Sequence, residues 1–494
     1  MIVLTKLFRM PRPRGTGRSI VRTVALTAGA VVLFGCHLLD VTNPDIVPAS
    51  NLTTAAALTT VRSGAIGDFN IAYVGSGASG SSGTVEGQIL SGGMLSDELI
   101  NTETFPDRVQ EDARQTDPSS GTFATVFQNL SRARASTEQA ALKFRTLSDT
   151  TTNAGLTEML TLSGYTYLMM SEDYCSGVPV SNLDASGKVI YGTPLTTVQL
   201  MDTALNRFNQ ALTAAGALTS AGARSHWQQF ANVGIARANL DLGNFAAAAT
   251  AATAVTDSFV YQTQYDKNTT RENNGVFSGI RLYKRYGVAD GEGGVGIKWR
   301  SQPDPRTPFF QSPAGNKGLD GLTPQFDQLR YPERDAQVPL ATGLEARLIN
   351  AEAALQAGDT VGYMAALNDP RANLGAAAGI NYIGAGTPSL PVVQPLAAGS
   401  LAPLTTPTSD TAAINLLFNE RARWLWLTGH RLNDLRRLVR AKGTRGGYGL
   451  APNAVWPNGA YFKNGLTYGG DYNLPVPITE QNNPNFTQCL DRLP

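Results

Sequence analysis

Histidine and cysteine are scarce in this chain of 494 residues, with three of each. His37, His226 and His430 stand far apart and neither HExxH nor CxxC occurs, so zinc chemistry has no ligand set. No metal and no cofactor is expected. A GxSxG nucleophile elbow and a GxxxxGK[ST] phosphate loop are also missing. Gly291-Glu292-Gly293-Gly294-Val295-Gly296 has the G-x-G-x-x-G spacing of a dinucleotide fingerprint but opens no obvious helix, so it reads as a loop. A glycosidase needs two carboxyl groups facing each other across the scissile bond. The conspicuous carboxylate pairs are Asp97 with Glu98, Glu111 with Asp112, and Glu345 with Glu352. Neighbours in sequence diverge on a helix and a seven-residue spacing follows one surface. Solvated faces and helix caps account for all three pairs, and the chain is expected not to be an enzyme.

Charge is modest at 16%, and its distribution is informative. The first 35 residues carry Lys6, Arg9, Arg12, Arg14, Arg18 and Arg22 and no acidic residue. The apolar run Thr23–Gly35 follows, too short to span a bilayer comfortably but suited to the core of a secretory signal. Met1 and Met10 are both compatible starts for it. The run ends in Leu33-Phe34-Gly35-Cys36, which resembles a bacterial lipobox. That resemblance implies cleavage before Cys36, diacylation of its sulfur and a membrane anchor made of several acyl chains. Residues 1–35 are therefore expected to be a signal peptide and 36–494 a single domain. Without the six leading cations, 34 basic side chains face 39 acidic ones, a net of −5. No basic tract remains for nucleic acid. With Cys36 acylated, Cys175 and Cys489 remain as either a disulfide or two free thiols in an exported, disulfide-permissive setting. Paired and unstrained, they close a loop that stabilises by roughly 4 to 5 kcal/mol.

Gly (50) and Pro (27) are plentiful, yet helical periodicity dominates the rest of the chain. Apolar spacing predicts helices over 55–69, over 109–147 in two pieces broken at Asp117-Pro118-Ser119-Ser120-Gly121, and over 156–174. Alanine-dense helices follow at 201–217, 227–242 and 245–255. The last two are joined by Leu242-Gly243-Asn244-Phe245, glycine stopping one helix and asparagine starting the next. The device returns where the helix at 345–356 meets that at 361–368 through Ala357-Gly358-Asp359-Thr360. Tight hairpins with small residues on their packing faces resemble tetratricopeptide repeats, which stack into a curved scaffold. The expected fold is mainly α, with long irregular, aromatic-rich loops inserted at about 261–335 and 376–410.

The densest block is 411–440. Ile414, Leu417, Phe418, Leu425, Leu432, Leu435 and Leu438 make apolar stripes among Glu420, Arg421, Arg423, Arg431, Asp434, Arg436 and Arg437. Gly429 breaks the pattern, so two helices meet at a sharp turn, and His430 reads as a hydrogen-bonded helix-start residue. An arginine–carboxylate lattice locking the two helices is the expected role, with an anion site as the alternative. The aromatic loops offer better material for binding. Flat rings cover the C–H face of a sugar while Asn, Asp and Arg bond its hydroxyls. Tyr283, Trp299, Trp456 and Tyr461 are the candidate ligand contacts, weighed against simple pinning of loops to the scaffold.

Together these pieces resemble the SusD/RagB family of outer-membrane nutrient-binding lipoproteins. Glu420-Arg421 with Arg423, Leu425, Gly429-His430-Arg431 and Asp434-Leu435-Arg436-Arg437 match the family's late signature over 414–440. Trp424 and Thr428 stand where the family has glutamates. Leu39-Asp40-Val41-Thr42-Asn43-Pro44, Ser96-Asp97-Glu98, Asp304-Pro305-Arg306, Glu345–Asp359 and the closing Leu474-Pro475-Val476-Pro477-Ile478 with Asn483-Pro484 also fit. The resemblance implies a lipid-anchored outer-membrane protein that captures an oligosaccharide or peptide. It also implies a SusC-like TonB-dependent transporter as partner. A non-catalytic scaffold that binds another envelope protein is the alternative.

Overall fold

Helix starts in this chain are written as short polar side chains that accept a hydrogen bond from the first turn. Ser120, Ser220, Thr342, Asp359 and Ser409 each cap in this way, and Thr196 with Gln199 forms a reciprocal capping box. The computed structural model describes residues 52–78, 84–184, 188–311, 316–373 and 396–494. The signal segment, Cys36 with its lipobox, the linker to 51 and residues 374–395 of the connector lie outside the described residues.

The main helices are α1 (Leu58–Val74), α2 (Gln88–Leu95), α3 (Pro106–Asp112), α4 (Gly121–Leu147), α5 (Gly155–Asp173), α6 (Thr197–Gly216), α7 (Ala221–Leu242) and α8 (Phe245–Thr253). They continue with α9 (Gly343–Gln356), α10 (Thr360–Ala372), α11 (Asp410–Trp424) and α12 (Arg431–Val439). Thr54–Pro494 make one compact unit. Consecutive helices pack as hairpins: α4 on α5, α5 on α6, α6 on α7, α7 on α8, and α9 on α10, with α9 also against α8. Every residue of α5 is buried, which is why its apolar pattern is not one-sided.

Small residues set how closely these helices approach. The ring of Phe208 on α6 is wedged between Gly164 of α5 and Gly234 of α7, and a Cβ on either glycine would lie 2.4–2.5 Å from it. Tyr165 and Phe230 complete that aromatic layer, the first edge-on to Phe208 at 5.1 Å and stacked on the second at 5.6 Å. Burying each such ring contributes about 1.5–3 kcal/mol, so this layer is a main fastening between the hairpins. Gly243 ends α7 in the left-handed conformation, as the hairpin reading requires. Asn244 departs from expectation: its side chain makes no cap bond to α8 and its amide turns back toward Asn239.

The strands are short and were not expected. β1 (Leu99–Asn101) pairs antiparallel with β7 (Tyr286–Val288), placing Ile100 opposite Gly287. β6 (Val260–Thr263) pairs with β10 (Val338–Thr342), with an irregularity at Pro339–Ala341. Three more antiparallel pairs are β2 (Val178–Pro179) with β5 (Pro194–Leu195), β3 (Asn182–Leu183) with β4 (Val189–Ile190), and β8 (Phe309–Gln311) with β9 (Phe326–Gln328). The segment 261–335 is thus more than an inserted loop. It supplies Tyr286, Val288, Trp299 and Tyr331 to the main core.

Candidate functional site

The 411–440 block is a buried ion lattice. Gly429 (φ +76°) and Leu427 (φ +54°) turn the chain between α11 and α12, and Leu427 is held there by its N–H donating to the Glu98 carboxylate at 2.9 Å. Asp434 accepts from Arg421 Nε and Nη2 at 2.9 Å each and from Arg437 Nη2 at 2.7 Å. Arg431 forks onto Asp97 at 2.6 and 2.8 Å, and Arg437 reaches Glu352. Glu420 receives Arg306 at 2.7 Å and Arg371 at 2.9 Å. Arg436 instead donates to backbone carbonyls of Ser171, Glu172 and Tyr174. His430 starts α12, with Nδ1 2.8 Å from Thr428 Oγ1 and Nε2 3.1 Å from Glu345. Burial lowers its pKa, with nearby Arg237 adding to the effect. The Trp424 ring lies under the Arg306 guanidinium at 4.8 Å. No guanidinium of this lattice is left turned outward as an anion site.

Two adjacent carboxyls show how the surroundings divide labour. Asp97 is paired with Arg431, whereas Glu98 keeps Oε2 buried without a partner. Burial raises the Glu98 pKa to about 8 against the pull of the Leu427 N–H, and burial raises Asp173 to about 7 against Arg237 and Arg436. Between their ordinary values and these raised ones, the unfolded chain has lost protons that the folded chain keeps. Stability therefore falls as pH rises from about 4–5 to about 7–8 and levels off above that. The midpoint of thermal unfolding should drop by several degrees from pH 5 to pH 8, and Glu98→Gln should flatten part of that slope. A midpoint independent of pH over this range counts against it.

Of the four aromatic candidates, three are corrected by their burial. Trp299, Trp456 and Tyr461 are 0%, 1% and 4% exposed and present no face to a ligand. Trp299 lies against Trp426, its ring centroid 6.0 Å away, and its Nε1 donates to the Asp97 carbonyl. Trp456 sits under Arg114, and the Tyr461 hydroxyl donates to Asp112 at 2.6 Å. Tyr283 is half-buried, donating to the Gly77 carbonyl at 2.6 Å beneath the Arg285 guanidinium. Cys175 and Cys489 form a disulfide, with Cα atoms 5.9 Å apart.

The loops still converge, through neighbours of those residues. Segments 290–300, 323–326 and 460–468 with Ile100 enclose a cavity of about 330 Å³. Its rings are Phe326, Phe462 and Tyr468. Phe462 is 48% exposed, and the Arg300 guanidinium covers Phe326 at 3.8 Å. The Tyr468 hydroxyl donates to Glu292 at 2.9 Å, and the other Glu292 oxygen has no partner. Burial first, then the neighbouring Asp112, holds Glu292 well above the usual carboxylate range. Phe462 is lifted there by a hairpin that turns at Asn464-Gly465, both at positive φ, with Ala460 paired to Thr467. Lys463 pins the hairpin, reaching Asn101 Oδ1 at 2.8 Å, the Glu103 carbonyl at 2.7 Å and Asp320 at 3.0 Å. The Asn-Gly dipeptide was the available sequence signal for this arrangement. Rings with polar atoms at their edge are chemically suited to an uncharged, hydroxylated ligand.

A scan of protein-family models finds no match to the chain, and a search of curated proteins finds none. Solved structures do match. A SusD-like carbohydrate-binding protein of Bacteroides fragilis superposes with a TM-score of 0.58, covering 88% of this chain and 99% of its own at 13% identity. The fold is SusD-like. A putative sugar-binding protein of Bacteroides vulgatus gives 0.56 at 16% identity, covering 89% of this chain and 99% of its own. A SusD/RagB family protein of Bacteroides thetaiotaomicron gives 0.51 at 13% identity, covering 76% and 87%. The SusD-like arrangement thus spans most of the described chain, and the mainly α reading stands. Among the described residues no helix is long and apolar enough to cross a membrane, and no group of His, Cys, Asp and Glu is placed to hold a metal ion.

Proposed function

We propose that this chain is a non-catalytic lipoprotein of the outer membrane. It captures a glycan at the cavity rimmed by Phe326, Phe462 and Tyr468 and passes it to a SusC-like TonB-dependent transporter. The observation that carries the reading is the convergence of three separate loops on one exposed ring, Phe462, and two partly buried ones, Phe326 and Tyr468, beside Arg300 and Glu292. Two of the solved structures that share the fold are described as carbohydrate- or sugar-binding. Support for the anchor is the lipobox ending in Cys36, which would leave the domain free to sit over a transporter while tethered by its acyl chains.

The test is titration of the purified domain with neutral oligosaccharides, alongside Phe462→Ala. Loss of an exposed ring that stacks on sugar should weaken binding about tenfold or more, in line with ~1–3 kcal/mol for a ring-stacking contact. The unfolding midpoint should not move, because Phe462 contributes little to the core. Unchanged affinity in Phe462→Ala would discard this cavity as the site. Absence of acyl chains on Cys36 in the protein taken from native membranes would discard the anchor.

A further inference from the structure

A second cleft, larger than the loop-face cavity at about 800 Å³, opens between α1, the start of α7 and β6. Its floor is Glu158, which Arg62 grips with Nε at 2.5 Å and Nη2 at 2.8 Å and to which the Tyr261 hydroxyl donates at 3.1 Å. The charges there satisfy each other, so the floor offers no unpaired charge to an ionic ligand. Two rings form the wall. Tyr261 is stacked on Phe230 at 3.8 Å, and the half-buried Trp227 lies 6.3 Å from it, centroid to centroid. Asn70 lines the cleft although nine-tenths buried; its amide donates to the Gln264 carbonyl at 2.8 Å, but its Oδ1 accepts nothing. A buried acceptor without a donor costs free energy that a bound hydroxyl would recover. The Gln262 amide also lines the cleft and has no side-chain partner among the described residues. At the mouth, Asp266 and Glu272 disfavour anions.

We propose that this cleft is a second binding site, for a short neutral oligosaccharide, separate from the loop-face cavity. An aromatic wall takes the C–H face of a sugar ring, while the Asn70 acceptor and the Gln262 amide take its hydroxyls. The neutralised Arg62–Glu158 floor removes the reason for a charged ligand to enter. The inference shares its ligand class with the function proposed above but not its residues, so the two can fail separately.

The chain carries its own reporter. Of its five tryptophans, Trp299, Trp424, Trp426 and Trp456 are at most 1% exposed, so Trp227 is the one open to solvent and ligand. Tryptophan emission should be followed during titration with maltohexaose, cellohexaose, xylohexaose and mannohexaose up to about 10 mM, where a millimolar site is nearly filled. The expected result is a saturable change with at least one of them. Gln262→Ala should weaken it tenfold or more, and Phe462→Ala should leave it intact. No change with any of the four sugars overturns the proposal. So does a change removed by Phe462→Ala but not by Gln262→Ala, which would place the sugar at the loop face. A response to hexalysine and not to sugars also overturns it, because the cleft would then be a site for cationic peptide.

Discussion

Asp434→Ala should lower the unfolding free energy by about 3–5 kcal/mol, as expected when one partner of a buried ion pair is removed. Its carboxylate binds two guanidiniums that are themselves buried, Arg421 and Arg437. Burial alone would raise the Asp434 pKa, but the two arginines outweigh it and hold the group well below the usual carboxylate range. Without it, Arg437 retains Glu352, whereas the nearest remaining carboxylate oxygen to Arg421 is at 3.9 Å. Arg437 also keeps Asp241 at 3.6 Å, so Arg421 would be the under-compensated cation in a buried site. Asp68→Ala is the control. Its partner Arg271 lies 3.4 Å away with a side chain 62% exposed, and such a pair contributes less than about 1 kcal/mol. Denaturant midpoints of the two variants measure the contrast. If Asp434→Ala unfolds like Asp68→Ala, the lattice does not hold α11 to α12. If stability is unchanged while sugar binding is lost, the block belongs to the ligand site.

How much of this was legible in the residues depends on the range of the interaction. Turns are local: Gly243, Gly358 and Gly429 marked three helix boundaries, and the observed helices end within a few residues of those the spacing predicted. The arginines of 411–440 could be read as a lattice, but not with which partners. Arg431 meets Asp97 across 334 residues and Arg437 meets Glu352 across 85. Composition located the aromatic-rich loops but could not say which ring in them points outward. In irregular backbone no period sorts buried from exposed, so Trp299 and Trp456, the largest rings, looked the best binders and proved to be core. Phe462 was separable only through turn chemistry, since its hairpin turns at Asn464-Gly465. The Arg62–Glu158 floor and the unpartnered Asn70 acceptor left no local signal at all, because each depends on chain brought from far away.

Replacing both Cys175 and Cys489 with Ser should cost about 2–5 kcal/mol without abolishing the fold. The bond spans 314 residues, for which the chain-entropy expression gives ~6 kcal/mol as an upper bound. Residual structure in the unfolded chain reduces the measured value below that bound. The fold should survive because the tail is held by more than the sulfurs. The Cys175 N–H donates to the Leu474 carbonyl at 2.9 Å, the Leu474 N–H to Asp173 at 2.7 Å, and the Leu490 N–H to Ser176 at 2.8 Å. Arg492 adds a bond to the Thr116 hydroxyl at 2.9 Å, and Arg440 reaches the Pro494 carbonyl at 3.1 Å. Removing the bond therefore frees the unfolded ensemble far more than the native one. The double variant should show a lower denaturant midpoint with an unchanged helical signal. Faster amide exchange should be confined to the segment after residue 472 and its partners at 173–176. An unchanged midpoint would mean that these backbone bonds already tether the tail in the unfolded chain, while loss of the helical signal would make the disulfide a condition for folding.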